Sequence, residues 1–192
     1  MTTEFDLVVI GAGSGGVRAA RMAASHGANV AIIEERFFGG TCVNVGCVPK
    51  KLFSYGSHFP QEFALAEDYG YTVKGWDFDW PILRDNKSRE ISRLNGIYQR
   101  ILNQAGVTIF EGHGQVLGGG KVSVGENVLT ARHILVAVGG KPFVPDLPGR
   151  EHVRISDDLF YLDTLPKRVA VVGGGYIATE FAGILHGLGC QV

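Results

Sequence analysis

The sequence predicts an α/β fold, because two glycine-rich loops each lie between an apolar run and a segment of helical composition. The first loop, residues 11–16, follows the apolar run 5–10, and the second, residues 173–178, follows the run 169–172. A buried strand, a glycine turn and a helix in this order are typical of Rossmann-like dinucleotide-binding units. We therefore expect one Rossmann-like domain with an inserted antiparallel β-meander over residues 107–130, followed by the start of a second Rossmann-like domain.

The glycines of the first loop occupy the positions that a dinucleotide requires. Gly11 suits the tight turn, Gly13 allows the backbone to approach a pyrophosphate, and Gly16 allows close packing of helix on strand. A second apolar run, residues 29–33, ends at Glu34, whose carboxylate suits the hydroxyl pair of a ribose. The alternative is a glycine-rich turn that binds no ligand.

The second loop repeats the pattern, with Gly173, Gly175 and Ala178 in the three positions. Two such loops in one chain indicate two dinucleotides, one of which could reduce the other. No acidic residue or arginine that would select NADH or NADPH follows the second loop before Val192.

Cys42 and Cys47 follow Gly39 and Gly40, and they are five positions apart. Four residues lie between them, which zinc sites also use, but a zinc site needs a second pair of ligands as well. The chain has three cysteines, and none of its six histidines forms a paired ligand motif. We therefore expect no metal, which leaves a structural or a redox-active disulfide.

The expected cellular compartment helps to distinguish a structural disulfide from a redox-active one. No leader segment is visible before the first strand, so we expect a cytoplasmic protein, and cytosolic disulfides are usually catalytic. In a regular helix the rise between residues five apart is about 7.5 Å, which exceeds the reach of a disulfide. We therefore expect an irregular turn at Gly46 and an early helical position for Pro49.

Composition excludes two classes of partner. The 18 basic and 19 acidic side chains give a formal net charge of −1, so no nucleic acid is expected. No apolar run approaches the roughly 20 residues that span a bilayer. The 28 glycines and the hydrophobic content of 45% are typical of an α/β protein with many tight turns.

The pattern along the chain predicts the remaining elements and the domain boundaries. The elements are strand 5–10, helix 15–26, strand 29–33, a helix from about residue 42, a helical piece near 59–67, an amphipathic helix 80–105, the meander 107–130 and strand 134–138. We expect a first domain at 1–140, a connecting segment at 141–166 and the beginning of a truncated second domain at 167–192. A parallel strand needs neighbours on both sides, so we expect the chain to be part of a longer polypeptide.

The stretch from Gly39 to Lys51, GGTCVNVGCVPKK, together with the two loops, resembles the glutathione reductase branch of the pyridine nucleotide–disulfide oxidoreductases. The resemblance covers the whole chain. It implies that the domain 1–140 binds FAD and holds the redox-active disulfide, and that the domain 167–192 begins an NADPH-binding domain. Cys42 would attack the substrate disulfide, and Cys47 would lie against the flavin as a charge-transfer thiolate.

The resemblance also implies roles for individual residues. Lys50 would pair with Glu180 near the flavin, and Tyr176 would cover the nicotinamide pocket. Arg21 and Tyr98 match positions that meet glutathione; the alternatives are an exposed helix charge for Arg21 and an amphipathic-helix contact for Tyr98. The expected cofactor-binding residues are Gly11, Gly13, Ser14, Gly15, Gly16, Glu34, Gly40, Thr41, Gly114, Gly139, Gly173, Gly175 and Ala178.

One position departs from the family pattern. The family usually has an Ala-Thr-Gly motif here, and this chain has Val138 in place of the threonine, so one hydroxyl is lost. Gly139 and Gly140 still allow the backbone to approach FAD closely.

The implied activity is the reduction of glutathione disulfide by NADPH through FAD, in a parent protein that is a homodimer. The family's His–Glu acid/base pair has no match among the histidines of this sequence. Three alternatives stay open. They are the same machinery acting on dihydrolipoamide, trypanothione or mycothiol disulfides, a non-catalytic FAD-binding fragment, and a flavin monooxygenase or ferredoxin reductase that has no use for the cysteine pair.

Overall fold

The computed structural model describes residues 3–192. The chain divides into two compact units, each built from two stretches of sequence. Of the described residues, 3–44 and 91–142 form the first unit, and 45–90 and 143–192 form the second. These units are defined by packing. The predicted domains, 1–140 and 167–192 joined by 141–166, stay a prediction about nucleotide binding.

Strands and helices alternate in the first part of the chain, as predicted. The strands are β1 Thr3–Ile10, β2 Val30–Glu34, β3 Thr108–Glu111, β4 Gly114–Gly118, β5 Lys121–Val124 and β6 Asn127–Val136. The helices are α1 Ser14–Ser25, α2 Gly40–Asn44, α3 Cys47–Asp68, α4 Trp80–Gln104, α5 Ser156–Leu159 and α6 Tyr176–Gly187, with a 3-10 helix at Arg150–His152. None of the helices in the described stretch 3–192 is both long and apolar enough to cross a membrane.

All six strands lie in one mixed sheet of the first unit, in the order β3-β2-β1-β6-β5-β4. β1 pairs in parallel with β2 and with β6, and β2 pairs in parallel with β3. The strands β4, β5 and β6 pair antiparallel. The α/β class is therefore confirmed.

The prediction of an antiparallel unit over residues 107–130 is wrong for β3. Ile109 of β3 aligns with Ile32 of β2 in a parallel pairing. The physical reason is the long connection between the two strands, which includes α4, because only such a crossover lets a chain re-enter a sheet in the same direction. The expected strand 134–138 is the second half of β6, which pairs with β5 before it runs beside β1.

β1 and β2 are buried on both faces, which explains their continuous apolar sequence. Val8 and Ile10 belong to a core cluster with side chains of β2, β5 and β6. The intervening Val9 belongs to the opposite cluster, which includes Val17 of α1 and Leu102 of α4. This packing on both faces holds the strands in place. Loops at the strand ends carry several of the predicted site residues.

The second unit is helical and has its own aromatic core. The core cluster consists of Val45, Phe53, Trp80, Phe160, Phe181 and Ile184. The ring centroids of Phe53 and Trp80 are 4.9 Å apart. The helical piece expected near 59–67 is not separate, because α3 continues through Pro60 to Asp68. Pro60 costs the helix one backbone donor but does not end it.

The strand predicted at 169–172 is not formed. Arg168 and Gln191 make an isolated parallel bridge, supported by a 2.8 Å hydrogen bond from Val169 N to Gln191 O. A parallel strand is stabilised by neighbours on both sides, and this stretch has one short partner. The helix predicted after the loop is present as α6.

Candidate functional site

The first glycine loop connects β1 to α1 in a shape that only glycine permits. Gly11 has a φ of +102°, and a Cβ added to it would collide with the carbonyl oxygen of Ala137. A Cβ on Gly16 would collide with the carbonyl oxygen of Gly11. Gly13 caps α1, and Ser14 and Gly15 are exposed in its first turn. The loop therefore presents backbone N–H groups at a helix N-terminus, which suits the pyrophosphate of a dinucleotide.

Glu34 ends β2 and binds the loop directly. Its Oε2 accepts a 2.7 Å hydrogen bond from Ala12 N. Its Oε1 accepts hydrogen bonds from Arg36 N at 2.8 Å and Phe37 N at 3.2 Å. The carboxylate therefore lies beside the loop, where the predicted contact with a ribose would be made.

The cysteine segment is attached to the same loop. Gly39 N donates a 2.8 Å hydrogen bond to the carbonyl oxygen of Ala12. Gly40 has a φ of +59°, and a Cβ on it would lie 2.6 Å from the Cα of Gly13. Two backbones thus meet without side chains between them, so the first turn of the cysteine segment is positioned by the nucleotide loop.

The two cysteines lie on successive helices. Cys42 is partly exposed in α2 behind the exposed Thr41, and Cys47 is exposed as the first residue of α3. Gly46 interrupts the helical path with φ −150° and ψ −123°. The irregular turn expected at Gly46 is confirmed, as is the early helical position of Pro49. The disulfide between the cysteines stays a prediction.

A hydrogen-bonded amide pair, the buried Asn44 and the partly buried Asn95, lies close to Cys42, and sequence reasoning missed it. Asn95 Nδ2 donates to Asn44 Oδ1 at 2.9 Å and to the carbonyl oxygen of Phe38 at 2.7 Å. The available signal was the position of Asn95 on α4, four residues after Ile91 and three before Tyr98. A polar residue on the apolar face of an amphipathic helix needs a partner.

Lys50 and Glu180 form the ion pair that the resemblance implied. Lys50 Nζ lies 2.6 Å from Glu180 Oε1, and both side chains are partly exposed. They share a cleft of about 320 Å³ between α3 and α6, with Ser57, His58 and His186 in its lining. The pairing is confirmed, whereas its place near a flavin stays a prediction.

The second glycine loop leads into α6. Gly173 has a φ of +121°, and Gly175 caps the helix with an extended backbone. Tyr176 begins α6 with 77% of its surface exposed, and Ala178 lies in the first turn. An open glycine loop at the start of a twelve-residue helix suits a second dinucleotide.

The remaining predicted cofactor residues lie at or just after strand ends of the first unit. Gly114 begins β4, and a Cβ on it would lie 2.9 Å from Ile10 Cγ2. Gly139 follows β6 with a φ of +73°, beside the exposed Val138. Both glycines occupy positions where a side chain would be crowded or strained.

The predicted substrate residues differ in exposure. Arg21 is exposed on α1. Tyr98 is partly buried and packs against the core cluster that contains Val9 and Leu102. The role of Tyr98 at a substrate site stays a prediction.

One acidic residue has an unexpected partner. Glu35 Oε2 lies 2.6 Å from His113 Nδ1, and both side chains are exposed. Within residues 3–192, no group of three or more His, Cys, Asp or Glu side chains is arranged to hold a metal ion.

The chain is similar to proteins of one family over nearly its whole length. The family model described as pyridine nucleotide-disulphide oxidoreductase matches residues 5–192. The chain is 49% identical over 192 residues to a glutathione reductase of Nostoc sp. and 51% identical over 189 residues to one of Burkholderia cepacia. It is 46% identical over 200 residues to a chloroplastic/mitochondrial glutathione reductase of Pisum sativum.

These alignments cover 98–100% of the chain. The chain spans 42% of the length of the Nostoc and Burkholderia proteins and 36% of the Pisum protein. The family match extends over both glycine loops, both cysteines of the pair and the Lys50–Glu180 ion pair. The chain therefore belongs to the pyridine nucleotide-disulphide oxidoreductase family.

Proposed function

We propose that the protein that carries this chain is an NADPH-dependent glutathione-disulfide reductase that contains FAD. The observation that carries the proposal is the attachment of the Cys42 turn to the first dinucleotide loop, through Gly39 N and Ala12 O and through Gly40 and Gly13. A cysteine held against a nucleotide loop is placed for redox chemistry. The relatives named glutathione reductase favour glutathione disulfide as its substrate.

The residues of the first unit suit FAD. Gly11, Gly13 and Gly16 leave room for a pyrophosphate at the start of α1, and Glu34 lies beside them for a ribose. Bound FAD would supply the two-electron transfer between NADPH and the cysteine pair. The loop from Gly173 to Gly175 would hold NADPH, and Tyr176 would cover its nicotinamide.

The cysteines would perform thiol–disulfide exchange. The Cys42 thiolate attacks one sulfur of glutathione disulfide, the S–S bond breaks, and one glutathione leaves and takes up a proton. The Cys47 thiolate then attacks the Cys42 sulfur of the mixed disulfide, which releases the second glutathione and leaves a Cys42–Cys47 disulfide. One NADPH and one proton restore the two thiols, so the reaction consumes one glutathione disulfide and yields two glutathiones.

The other residues would orient these groups. Glu180 would hold the ammonium group of Lys50 in a fixed position near Cys47, because the ion pair links the first turn of α3 to the first half of α6. Arg21 would pair with a carboxylate of glutathione, and Tyr98 would line the same region. An arginine pairs well with a carboxylate because its planar fork can donate two parallel hydrogen bonds.

The test is NADPH oxidation by the full-length protein with glutathione disulfide, measured for Cys42→Ser and Cys47→Ser. We expect each variant to lose turnover, while Cys190→Ala, which changes a cysteine outside the pair, keeps it. Full activity of Cys42→Ser would reject the disulfide mechanism in favour of a monooxygenase or ferredoxin reductase. Faster turnover with lipoamide, trypanothione or mycothiol disulfide would reject glutathione as the substrate.

The architecture of the parent is part of the proposal. The antiparallel strands β4–β6 correspond to an inserted meander of an FAD-binding domain at 1–140, and residues 167–192 begin an NADPH-binding domain after the connecting segment 141–166. We propose that the protein is cytoplasmic. Disulfides in cytosolic proteins are usually catalytic, which agrees with a redox-active cysteine pair.

A homodimer is the proposed assembly. Exposed aromatic side chains cluster on the C-terminal part of α3 and the segment after it, where Tyr69 and Tyr71 are 75% and 71% exposed. Soluble monomers rarely expose large apolar patches. Sedimentation of the full-length protein with Tyr69→Asp and Tyr71→Asp tests this surface, since a dimer that uses it would dissociate.

A further inference from the structure

Asn44 is buried and Asn95 is partly buried, and the carboxamides of the two residues are hydrogen-bonded to each other. Asn44 is 2% exposed, and its Nδ2 donates to the carbonyl oxygens of Gly40 at 2.9 Å and Phe38 at 3.2 Å. Its Oδ1 accepts a 2.9 Å hydrogen bond from Asn95 Nδ2, which also donates to Phe38 O at 2.7 Å. Four hydrogen bonds therefore converge on the turn that carries Cys42.

The turn needs such support because α2 has five residues. A helix of that length is not stable through its own hydrogen bonds. Val43 is buried against Gly39, and Gly40 meets the backbone of Gly13. These contacts fix where the turn lies, but van der Waals contacts have little directional preference.

The amide pair adds directional contacts on both sides of Cys42 to the hydrogen bond that Gly39 N donates to Ala12 O. Gly40, whose carbonyl oxygen is bound, lies two residues before Cys42, and Asn44 lies two residues after it. Asn95 extends the network to the long helix α4. The part of α4 that carries Asn95 belongs to the first unit, as Asn44 does. Two apolar side chains could fill the same space, but they could not hold the carbonyl oxygens of Phe38 and Gly40.

We propose that the Asn44–Asn95 amide pair is a positioning device that orients the Cys42 turn and thereby sets the thiol–disulfide exchange equilibrium of the Cys42–Cys47 pair. This inference rests on the proposed function, because it assumes that the two cysteines form a disulfide. The exchange converts the protein disulfide and two glutathione thiols into the protein dithiol and one glutathione disulfide. A disulfide tolerates a narrow range of geometries, so a loosened turn shifts this equilibrium toward the dithiol.

The experiment uses the full-length FAD-loaded protein equilibrated with glutathione redox buffers, then alkylated and analysed by mass spectrometry. In Asn95→Leu, the buried Asn44 Oδ1 loses its donor. We expect an equilibrium shift of about tenfold toward the dithiol, since leaving a buried amide unpaired typically changes an equilibrium by a factor of that order. The rate of Cys42 alkylation in the reduced protein should change relative to that of Cys47.

Two further variants complete the design. Asn103→Leu makes the same chemical change at an exposed position of α4, and its Cys42–Cys47 pair should have the wild-type exchange constant. Asn95→Ala leaves space for water at Asn44 Oδ1, so it provides a second variant if Asn95→Leu does not fold. We expect a smaller shift in the same direction for Asn95→Ala.

The outcomes separate the two proposals. A wild-type protein in which Cys42 and Cys47 form no disulfide rejects the proposed function itself. If the wild type forms the disulfide, but the Asn95 variants lose only thermal stability and keep its exchange constant and its ratio of alkylation rates, then the amide pair is merely structural and the inference is overturned.

Discussion

Lys50 and Glu180 lie 130 positions apart in the sequence and form an ion pair with a distance of 2.6 Å between Nζ and Oε1. The packing of α3 against α6 brings them together. Phe53 and Phe181, which follow the two charged residues on their helices, belong to one core cluster. Gly187 allows close approach, because a Cβ on it would press on the Ser57 backbone.

The first prediction concerns the charge of this pair. Glu180→Gln keeps the shape of the side chain but removes the partner charge of Lys50. The side chains of Lys50 and Glu180 are 28% and 38% exposed, so we expect the unfolding free energy to change by less than about 1 kcal/mol. At the proposed catalytic site, a displaced ammonium group should lower turnover by about tenfold to a hundredfold.

The measurement pairs urea unfolding with NADPH-dependent turnover. Glu62→Gln, the same change at an exposed position of α3, is the control and should leave both quantities unchanged. Equal turnover of Glu180→Gln and wild type would show that the ion pair has no part in catalysis.

The second prediction concerns Lys87, a cation in the core of the helical unit. Lys87 is 2% exposed, its Nζ donates a 2.8 Å hydrogen bond to Phe160 O, and it lies 4.5 Å from the ring centroid of Tyr161. Burial lowers the pKa of Lys87 from 10.5 to about 8.

Folding therefore favours the neutral amine of Lys87. Between pH 8 and 10.5 the unfolded chain binds more protons than the folded chain, so stability rises with pH in this window. We expect the unfolding free energy to increase by about 2 kcal/mol between pH 7.5 and 9.5. Lys87→Met should remove this increase. Urea unfolding at the two pH values measures it, and parallel pH profiles for wild type and variant would contradict the prediction.

The third prediction compares two glycines with positive φ. Gly40→Ala places a Cβ 2.6 Å from the Cα of Gly13, whereas Gly27→Ala, at φ +89°, meets nothing within 4 Å. Both changes strain the backbone by about 1 kcal/mol, but only Gly40→Ala must also move a second backbone. We expect Gly40→Ala to lose about 3 kcal/mol or more of stability and to retain less FAD, as measured by flavin absorbance. Similar losses in both variants would mean that the contact with Gly13 is unimportant.

The elements that the sequence predicts well are those whose pattern is local. The apolar runs 5–10 and 29–33 give β1 and β2 within a residue or two, because a strand buried on both faces leaves a continuous apolar stretch. The direction of β3 depends on the path of the chain through α4, which no local pattern contains. The strand at 169–172 failed for a related reason, since pairing partners and not composition decide whether it forms.

The site shows the same division. Glycine positions and the irregular turn at Gly46 follow from the steric needs of single residues, so the sequence predicts them. The Lys50–Glu180 pair was expected only through the resemblance to a family. The amide of Asn95 was overlooked because its partner, Asn44, lies on another element, and only the fold brings the two carboxamides to 2.9 Å.

The last prediction decides whether Arg21 binds substrate or is only an exposed helix charge. Arg21 is exposed on α1, as is Arg18 three residues earlier. If Arg21 pairs with a glutathione carboxylate, Arg21→Met removes a charge-assisted contact worth about 1.5–3 kcal/mol. We then expect KM for glutathione disulfide to rise by about tenfold or more with kcat unchanged, while Arg18→Met has wild-type kinetics. Steady-state turnover with varied glutathione disulfide measures both constants. Equal KM values for the two variants would assign Arg21 to the solvated surface, because a charge that merely faces water contributes equally at either position.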